Sequence, residues 1–223
     1  MTDETALLAA RRQMVEQIAL HASAVGDRTG RAVLSSSVMR VMGKVPRHQF
    51  VPTPLEAHAY LDQPLPIGHG KTISQPFIVA LMTDLLEVRP DERVLEIGTG
   101  LGYQAAVLAE LAEWVYSVEL VQELGDEAAR RLRRAGYTNV TLKIGDGSVG
   151  WSEHAPYAKI ILAAAPETPP KALLKQLKPG GRMVIPAGPP DAQQLLLLRK
   201  ERDDAIISTA ILPVRFTPLI VVH

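Results

Sequence analysis

The stretch that decides the fold is Val94-Leu95-Glu96-Ile97-Gly98-Thr99-Gly100-Leu101-Gly102, an apolar run that ends in glycines spaced as G-x-G-x-G. Helix-forming residues, Tyr103 to Leu111, follow at once. Glycine lets a backbone turn tightly and approach a ligand closely, and the free N–H groups at a helix start can bind an anionic group. The order of strand, glycine-rich turn and helix therefore predicts a nucleotide-binding βαβ unit.

An acidic residue follows the next apolar run at a distance typical of such units. Glu119 lies 17 residues after Gly102, at the end of the apolar run Val115–Val118, where a carboxylate can hold two ribose hydroxyls. The dinucleotide fingerprint of hydride-transfer enzymes is G-x-G-x-x-G, and the third glycine here comes one residue early. The spacing therefore disfavours a nicotinamide-dependent oxidoreductase, while a glycine turn that serves only packing remains open.

The composition indicates one globular domain without a nucleic-acid or membrane function. With 223 residues, 47% of them hydrophobic, the chain can bury a sizeable core. Lys plus Arg and Asp plus Glu both total 24, so there is no basic excess for a phosphate backbone. The chain has no cysteine, which excludes disulfides, thiolate catalysis and Cys-based zinc sites and favours a cytoplasmic enzyme. No apolar run approaches the ~20 residues of a membrane span, and the acidic Met1–Glu4 start lacks a signal-peptide core.

Beyond Pro90, strand and helix patterns alternate along the chain. This alternation predicts an α/β fold with a mainly parallel, doubly wound sheet covered by helices on both faces. We divide the single domain into an N-terminal helical extension (1–60), a loop and helix (61–92), a βαβ core (93–190) and C-terminal strands (191–223). In the core, strands are predicted over Arg93–Ile97, Val115–Val118, Val140–Ile144, Ile160–Ala164 and Arg182–Ile185, and helices over Tyr103–Leu111, Val121–Ala135 and Pro170–Leu177.

The segments outside this core have less regular patterns. Apolar periodicity predicts helices over Glu4–His21 and Ser37–Val45, and the residues from Val45 to Tyr60 read as mostly irregular because of their prolines. The Pro- and Gly-rich stretch Asp62–Pro76 predicts an extended loop. A helix over Gln75–Val88 follows, for which Ser74 is a suitable N-cap. The tail predicts consecutive strands over Gln194–Arg199, Ala205–Leu212 and Leu219–Val222.

Further segments resemble one known family. With Glu96 ahead of the glycines, E-x-G-x-G-x-G resembles motif I of class I S-adenosylmethionine-dependent methyltransferases. The stretch from Pro64 to Pro76, P-L-P-I-G-H-G-K-T-I-S-Q-P, is the most specific. Together with V-P-R-H-Q-F-V-P (45–52), G-D-G-S-V-G-W (145–151), A-A-P (164–166), L-K-P-G-G (177–181) and V-R-F-T-P-L (214–219), it resembles the protein-L-isoaspartate (D-aspartate) O-methyltransferases.

The resemblance implies a Rossmann-like fold and a repair reaction on damaged proteins and peptides. A methyl group from S-adenosyl-L-methionine would pass to the carboxylate of an isoaspartyl residue, leaving S-adenosyl-L-homocysteine, and the ester would collapse to a succinimide. The donor is already activated and the acceptor carboxylate is ionised at neutral pH, so neither a general base nor a metal is required. We expect a monomer, although the sequence does not reveal the oligomeric state, and activity on D-aspartyl sites stays open.

The same resemblance, with the spacing above, names the candidate residues. Hydroxyl donors that could orient the attacking carboxylate are Ser74 and Thr72. The candidate donor-binding residues are Glu96, Gly98, Thr99, Gly100, Gly102, Glu119, Leu120, Asp146 and Gly147. The candidate substrate-binding residues are Lys71, Ile73, Val214, Arg215 and Phe216, the last three because an extended peptide could pair with their backbone.

Some features leave alternatives open. From its spacing alone, Ser74 reads as the cap of the following helix, whereas the resemblance of the whole loop implies the active-site role; one hydroxyl cannot serve both roles. The chain departs from the family where it has Lys71, Lys159 and Ala163 and in its long segment Ala22–Ser37. These departures keep two alternatives in view: a methyltransferase of small molecules, and a donor-binding module without turnover. Methyl transfer to an isoaspartyl peptide, compared with its aspartyl twin, separates these hypotheses.

Overall fold

Apolar runs rich in Val, Ile and Leu form the centre of a seven-stranded sheet. The computed structural model describes residues 4–222; Met1–Asp3, which belong to the start predicted to lack a signal-peptide core, and His223 lie outside them. In order across the sheet, the strands are β5 (Val140–Ile144), β4 (Trp114–Glu119), β3 (Arg93–Ile97), β6 (Tyr157–Leu162), β7 (Leu177–Ala187), β8 (Gln194–Lys200) and β9 (Ile206–Pro213). The first five of these run parallel, and β8 and β9 are antiparallel to their neighbours. The predicted α/β fold is confirmed.

Helices cover both faces of this sheet. They are α1 (Glu4–Ala24), α2 (Gly26–Thr29), α3 (Ser36–Lys44), α4 (Pro76–Leu86), α5 (Tyr103–Ala109), α6 (Gln122–Arg134) and α7 (Lys171–Gln176). Helix α4 contacts β6 and β7, and α1 and α3 pack on α4, so the N-terminal extension forms part of the main hydrophobic core. Within residues 4–222, no helix is both long and apolar enough to cross a bilayer.

The chain reverses its direction across the sheet between β3 and β6. From β3 it proceeds outward through β4 to β5, and it returns to add β6 on the other side of β3. In open α/β sheets, ligands bind at the carboxyl ends of the strands at such a switch point. The glycine loop after β3 and residues 163–166 after β6 therefore lie where a ligand site is expected.

Several predicted boundaries differ from the structure. The extended loop predicted over Asp62–Pro76 contains a two-stranded antiparallel ribbon of β1 (Leu65–Gly68) and β2 (Lys71–Ile73). The region predicted to be mostly irregular contains short 3-10 helices over Arg47–Phe50 and Thr53–His58. Strand β6 starts earlier than predicted and ends at Leu162.

The strand predicted over Leu219–Val222 is wrong. The tail leaves the sheet after Pro213, and within the described residues its one further β-bridge joins Pro218 to Ala165. Ala165 donates its N–H to Thr217 O at 2.9 Å and accepts the N–H of Leu219 at 2.9 Å. The apolar tail residues therefore lie along the loop after β6, and this contact between distant residues overrides their local strand preference.

Candidate active site

Two adjoining clefts lie at the carboxyl ends of β3 and β6. We call the first the glycine-loop cleft, because the predicted residues Gly98, Gly100, Glu119, Leu120 and Gly147 line it. It holds roughly 600 Å³ of space free of protein atoms, including its open mouth. Residues of the tail close this cleft on one side, namely Thr217, Pro218, Leu219 and Ile220; none of them was among the predicted donor-binding residues.

The backbone of the glycine loop is shaped for close approach. Gly98 and Gly100 have φ angles of 93° and 57°, in the left-handed region that favours glycine. A Cβ at Gly100 would lie 3.0 Å from Ile67 Cδ1 in the β1–β2 ribbon. The missing side chain therefore keeps a narrow space open between this loop and the ribbon.

Glu119 both lines the cleft and holds the loop. Its Oε2 accepts the N–H of Gly100 at 2.8 Å and its Oε1 accepts the N–H of Val121 at 3.0 Å, with only 6% of the residue exposed. A carboxylate has about four lone-pair sites, so two acceptor sites remain for a ligand. The side chain that the spacing singled out is thus already oriented before any ligand arrives.

Glu96 lies beneath the loop and does not line the cleft. It is fully buried, its Oε2 accepts the hydroxyl of Ser117, and Ser117 also bonds Thr99. Its Oε1 is buried without a hydrogen-bond partner among residues 4–222. Burial raises the pKa of Glu96 to about 8. The hydrogen bond from Ser117 lowers this pKa, and the negative charge of Glu119 raises it. Glu96 and Thr99 therefore brace the loop from below.

Two other predicted donor-binding residues, Gly102 and Asp146, have structural roles. A Cβ at Gly102 would lie 3.1 Å from Leu132 in α6, so this glycine allows α6 to pack closely. Asp146 Oδ1 accepts the N–H of Ser148 at 2.7 Å, and its Oδ2 accepts the N–H of Val222 at 2.9 Å. Asp146 thus ties the end of the tail next to the glycine-loop cleft.

The second cleft, which we call the tail groove, lies between α1, the start of α4 and the segment Leu212–Thr217. The predicted residues Ser74, Val214, Arg215 and Phe216 line it. Thr72, Ala163 and Thr217 line both clefts. The two spaces therefore meet at these residues, and the family departure at Ala163 falls at their junction.

The remaining predicted substrate residues lie elsewhere. Lys71 lines the glycine-loop cleft and not the tail groove, and Ile73 is buried behind the glycine loop. Lys159 is buried at 3.6 Å from Glu92 as an ion pair, and neither cleft includes it. Of the three single-residue departures from the family, Lys71 and Ala163 can therefore touch a ligand directly.

Ser74 is not the cap of α4, so that interpretation is wrong. Gln75 occupies the N-cap position and its side chain makes no capping bond. Instead, Asp62 Oδ1 accepts the N–H of Phe77 at 2.8 Å. Within residues 4–222 the Ser74 hydroxyl has no hydrogen-bond partner, whereas the Ser74 carbonyl accepts from the buried Arg47 Nη2 at 2.8 Å. The backbone of Ser74 is anchored and its hydroxyl is available.

Gln193, which sequence reasoning missed, holds the other wall of the groove. This residue is 4% exposed, and its side-chain amide accepts the N–H of Phe216 at 2.7 Å and donates to Phe216 O at 3.1 Å. Its carbonyl accepts the N–H of Val214 at 3.1 Å. By contrast, the peptide N–H and C=O of Arg215 have no partner in the part of the chain that the structure describes. Arg215 therefore offers the free backbone groups of this wall.

No cluster of three or more His, Cys, Asp or Glu that could hold a metal ion occurs within residues 4–222. The polar groups at the junction of the clefts are hydroxyls and backbone groups. Such an arrangement can orient a ligand by hydrogen bonds, which suits a reaction whose reactants are already charged and activated.

Comparisons with known proteins agree with this geometry. The family model described as protein-L-isoaspartate(D-aspartate) O-methyltransferase matches residues 24–222. The protein-L-isoaspartate O-methyltransferase 1 of Polaromonas sp. (strain JS666) is 57% identical over 94% of this chain and 89% of its own. The corresponding protein of Cupriavidus necator is 54% identical over 99% of this chain and 85% of its own.

Solved structures give the same result for the fold. A protein-L-isoaspartate O-methyltransferase superposes with a TM-score of 0.78 at 28% identity, covering 92% of this chain and 65% of that chain. A Plasmodium falciparum chain in complex with S-adenosyl-L-homocysteine superposes with a TM-score of 0.79 at 21% identity, over 94% of this chain and 97% of that one.

Proposed function

The chain belongs to the protein-L-isoaspartate(D-aspartate) O-methyltransferase family, and from this premise we propose how its two clefts divide the reaction. The enzyme transfers a methyl group from S-adenosyl-L-methionine to the carboxylate of an isoaspartyl residue. The glycine-loop cleft takes the donor, and the tail groove takes the peptide. The observation that carries this assignment is the junction at Thr72, Ala163 and Thr217, which both clefts share.

The residues of the glycine-loop cleft fit the donor. S-adenosyl-L-methionine supplies, when bound, an activated methyl group on a cationic sulfur. Glu119 is oriented by its two backbone hydrogen bonds and retains acceptor sites for ribose hydroxyls. Gly98 and Gly100 bring the loop backbone within reach, and Gly147 lies in the cleft wall. Asp146, which precedes Gly147 and does not itself line the cleft, would have to accept from the adenine edge in addition to the N–H groups of Ser148 and Val222, which the lone pairs of a carboxylate allow. Leu120 contributes apolar surface.

The residues of the tail groove orient the acceptor. The Ser74 hydroxyl is unpartnered within residues 4–222, so it donates to one oxygen of the isoaspartyl carboxylate, and Thr72 assists at the junction. The carboxylate is ionised at neutral pH, so no base has to remove a proton before its oxygen forms the methyl ester. The protein's contribution is therefore alignment, which can supply several kcal/mol of the barrier.

The peptide backbone pairs with the free groups of Arg215. An extended chain can add itself to an exposed strand-like segment through main-chain hydrogen bonds. Gln193 engages both peptide groups of Phe216, so it holds this segment extended while leaving Arg215 available. Because backbone pairing does not depend on side chains, it suits a substrate class of many damaged proteins.

The test is methyl transfer to a synthetic isoaspartyl peptide and to its aspartyl twin. We expect ester formation on the isoaspartyl peptide only, followed by succinimide formation. Methylation of both twins, or of neither, would contradict the proposed function. We also propose that the enzyme works as a monomer, since both clefts belong to one chain; light scattering under assay conditions tests this. We further propose a cytoplasmic location, which the absence of cysteine favours; cell fractionation tests it.

A further inference from the structure

The tail groove has a wall that the reaction itself does not require. His21 from α1, and Val25 just after it, line the groove opposite the segment Leu212–Thr217. Helix α2 then contacts β9, which joins the N-terminal extension to the far side of the same groove. The long segment Ala22–Ser37 is therefore placed to shape what the groove accepts.

The ring of His21 is held in one orientation. Its Nδ1 lies 3.0 Å from Asp62 Oδ2, and the ring stacks on Phe77 with centroids 4.2 Å apart and planes 13° from parallel. Asp62 also accepts from Gln75 Nε2 and Phe77 N, so it acts as an acceptor and Nδ1 carries the proton between them. The His21 side chain is 41% exposed, so a fixed aromatic surface faces the groove.

The rest of this end of the groove is largely apolar. Val25, Ile78, Leu212 and Phe216 line it and are all partly exposed. The nearby charges are Asp62, which is engaged behind the His21 ring, and the exposed Arg215 at the mouth. A bulky apolar or aromatic side chain fits this surface better than an acidic one, because burying an unpaired charge there is costly.

We propose that His21, held by Asp62 and Phe77, is a specificity-determining residue that favours isoaspartyl substrates with an aromatic residue near the damaged site. The contact is between the His21–Phe77 stack and a side chain flanking the isoaspartyl residue, while the reacting carboxylate lies at Ser74. This inference rests on the proposed function and names a substrate preference of the same site.

A peptide panel tests the preference. In this panel, Phe, Gly, Asp or Lys is placed at one position at a time, at each of the two positions before and the two positions after the isoaspartyl residue. The value of kcat/KM is measured for each peptide. At one of these positions we expect Phe to exceed Gly by about fivefold, the size of one aromatic contact. The difference should lie mainly in KM, because the contact is remote from the bond that forms.

Matched variants separate the ring from its hydrogen bond. His21→Phe keeps the aromatic surface and should retain the preference, whereas His21→Gln keeps a polar group and should reduce the ratio of Phe to Gly to about one. His58→Ala is the control, since His58 is exposed and lines neither cleft; its ratio and its rate should equal those of the wild type. Thermal unfolding of each variant confirms that the ratio refers to folded protein.

The outcomes are distinct. A wild type that methylates isoaspartyl peptides without a Phe preference, or that prefers Asp through Arg215, overturns the inference and leaves the proposed function intact. If the ratio of kcat/KM for the Phe peptide to that for the Gly peptide is the same in His21→Gln as in the wild type, the inference is likewise overturned and the proposed function stays intact. If the wild type methylates no isoaspartyl peptide, the proposed function itself fails.

Discussion

Asp62 caps the helix that carries Phe77: the carboxylate Oδ1 accepts the Phe77 N–H at 2.8 Å, across 15 positions of the chain. Ser74 stands one position ahead of the N-cap residue Gln75, and because Asp62 bonds the helix start, the Ser74 hydroxyl has no partner within residues 4–222. The sequence allows two roles for Ser74, capping the helix and orienting the substrate carboxylate. In the structure Asp62 caps the helix, and Ser74 is left for the proposed chemical role.

Ser74→Ala tests the chemical role. We expect methyl transfer to fall by roughly 10-fold or more, which is at least about 1.4 kcal/mol of transition-state stabilisation, because the variant lacks the donor that orients the carboxylate. Donor affinity and melting temperature should stay close to those of the wild type. Thr72→Val provides a neighbouring variant of similar shape. Unchanged turnover in both variants would contradict the roles of both hydroxyls.

Asp62→Ala tests the structural role. We expect a loss of about 1 kcal/mol or more in the free energy of unfolding, the usual cost of removing a helix cap, measured by chemical denaturation. Asp91→Ala is the matched control, because the Asp91 side chain is 80% exposed and its ion pair with Arg89 spans 3.6 Å; exposed pairs of this kind contribute little. Equal stability of the two variants would show that Asp62 does not cap α4.

Glu119→Ala should weaken the binding of S-adenosyl-L-homocysteine by roughly 1–3 kcal/mol, the range for hydrogen bonds to a charged group. Part of this loss of affinity should arise because Glu119 also accepts the N–H of Gly100, so the variant lacks a hydrogen bond that fixes the glycine loop. Calorimetry on the variant and on Glu123→Ala, an acidic residue of α6 outside both clefts, measures the effect. Equal affinities would remove Glu119 from the donor site.

The buried Glu96 should make stability depend on pH. Burial raises its pKa from 4.5 to about 8, so between these values the folded chain holds a proton that the unfolded chain has lost. This contribution is complete below pH 4.5 and is lost as the pH rises through 8. Relative to Glu96→Gln, which does not titrate, the wild type should lose about 1.4 kcal/mol per pH unit within that window. Parallel pH profiles of the two proteins would refute this assignment.

Methyl transfer should be unaffected by an excess of chelator. The acceptor is ionised and the donor is activated, so the clefts need to supply only alignment. The measurement compares initial rates with and without EDTA, and a magnesium-restored loss of activity would favour a methyltransferase of small molecules.

The order of elements and much of the donor site could be predicted from local sequence. A strand, a glycine turn and a helix require only neighbouring residues, and the distance from Gly102 to Glu119 follows from a helix and a strand of ordinary length. The P-L-P-I-G-H-G-K-T-I-S-Q-P stretch identified the family because its residues are contiguous. These features are all encoded within short windows of the chain.

The tertiary structure decided which side chain does which task. Asp62 accepts a hydrogen bond from Phe77, Gln193 accepts one from Phe216, and the tail forms a β-bridge with Ala165. No local periodicity of the sequence predicts these contacts. Each joins residues that folding brings together, so its energy depends on geometry that exists only once the sheet and helices have packed. The sequence by itself determined the fold class and the family, and the packing of distant segments determined that the Ser74 hydroxyl has no partner within residues 4–222 and that His21 lines the tail groove.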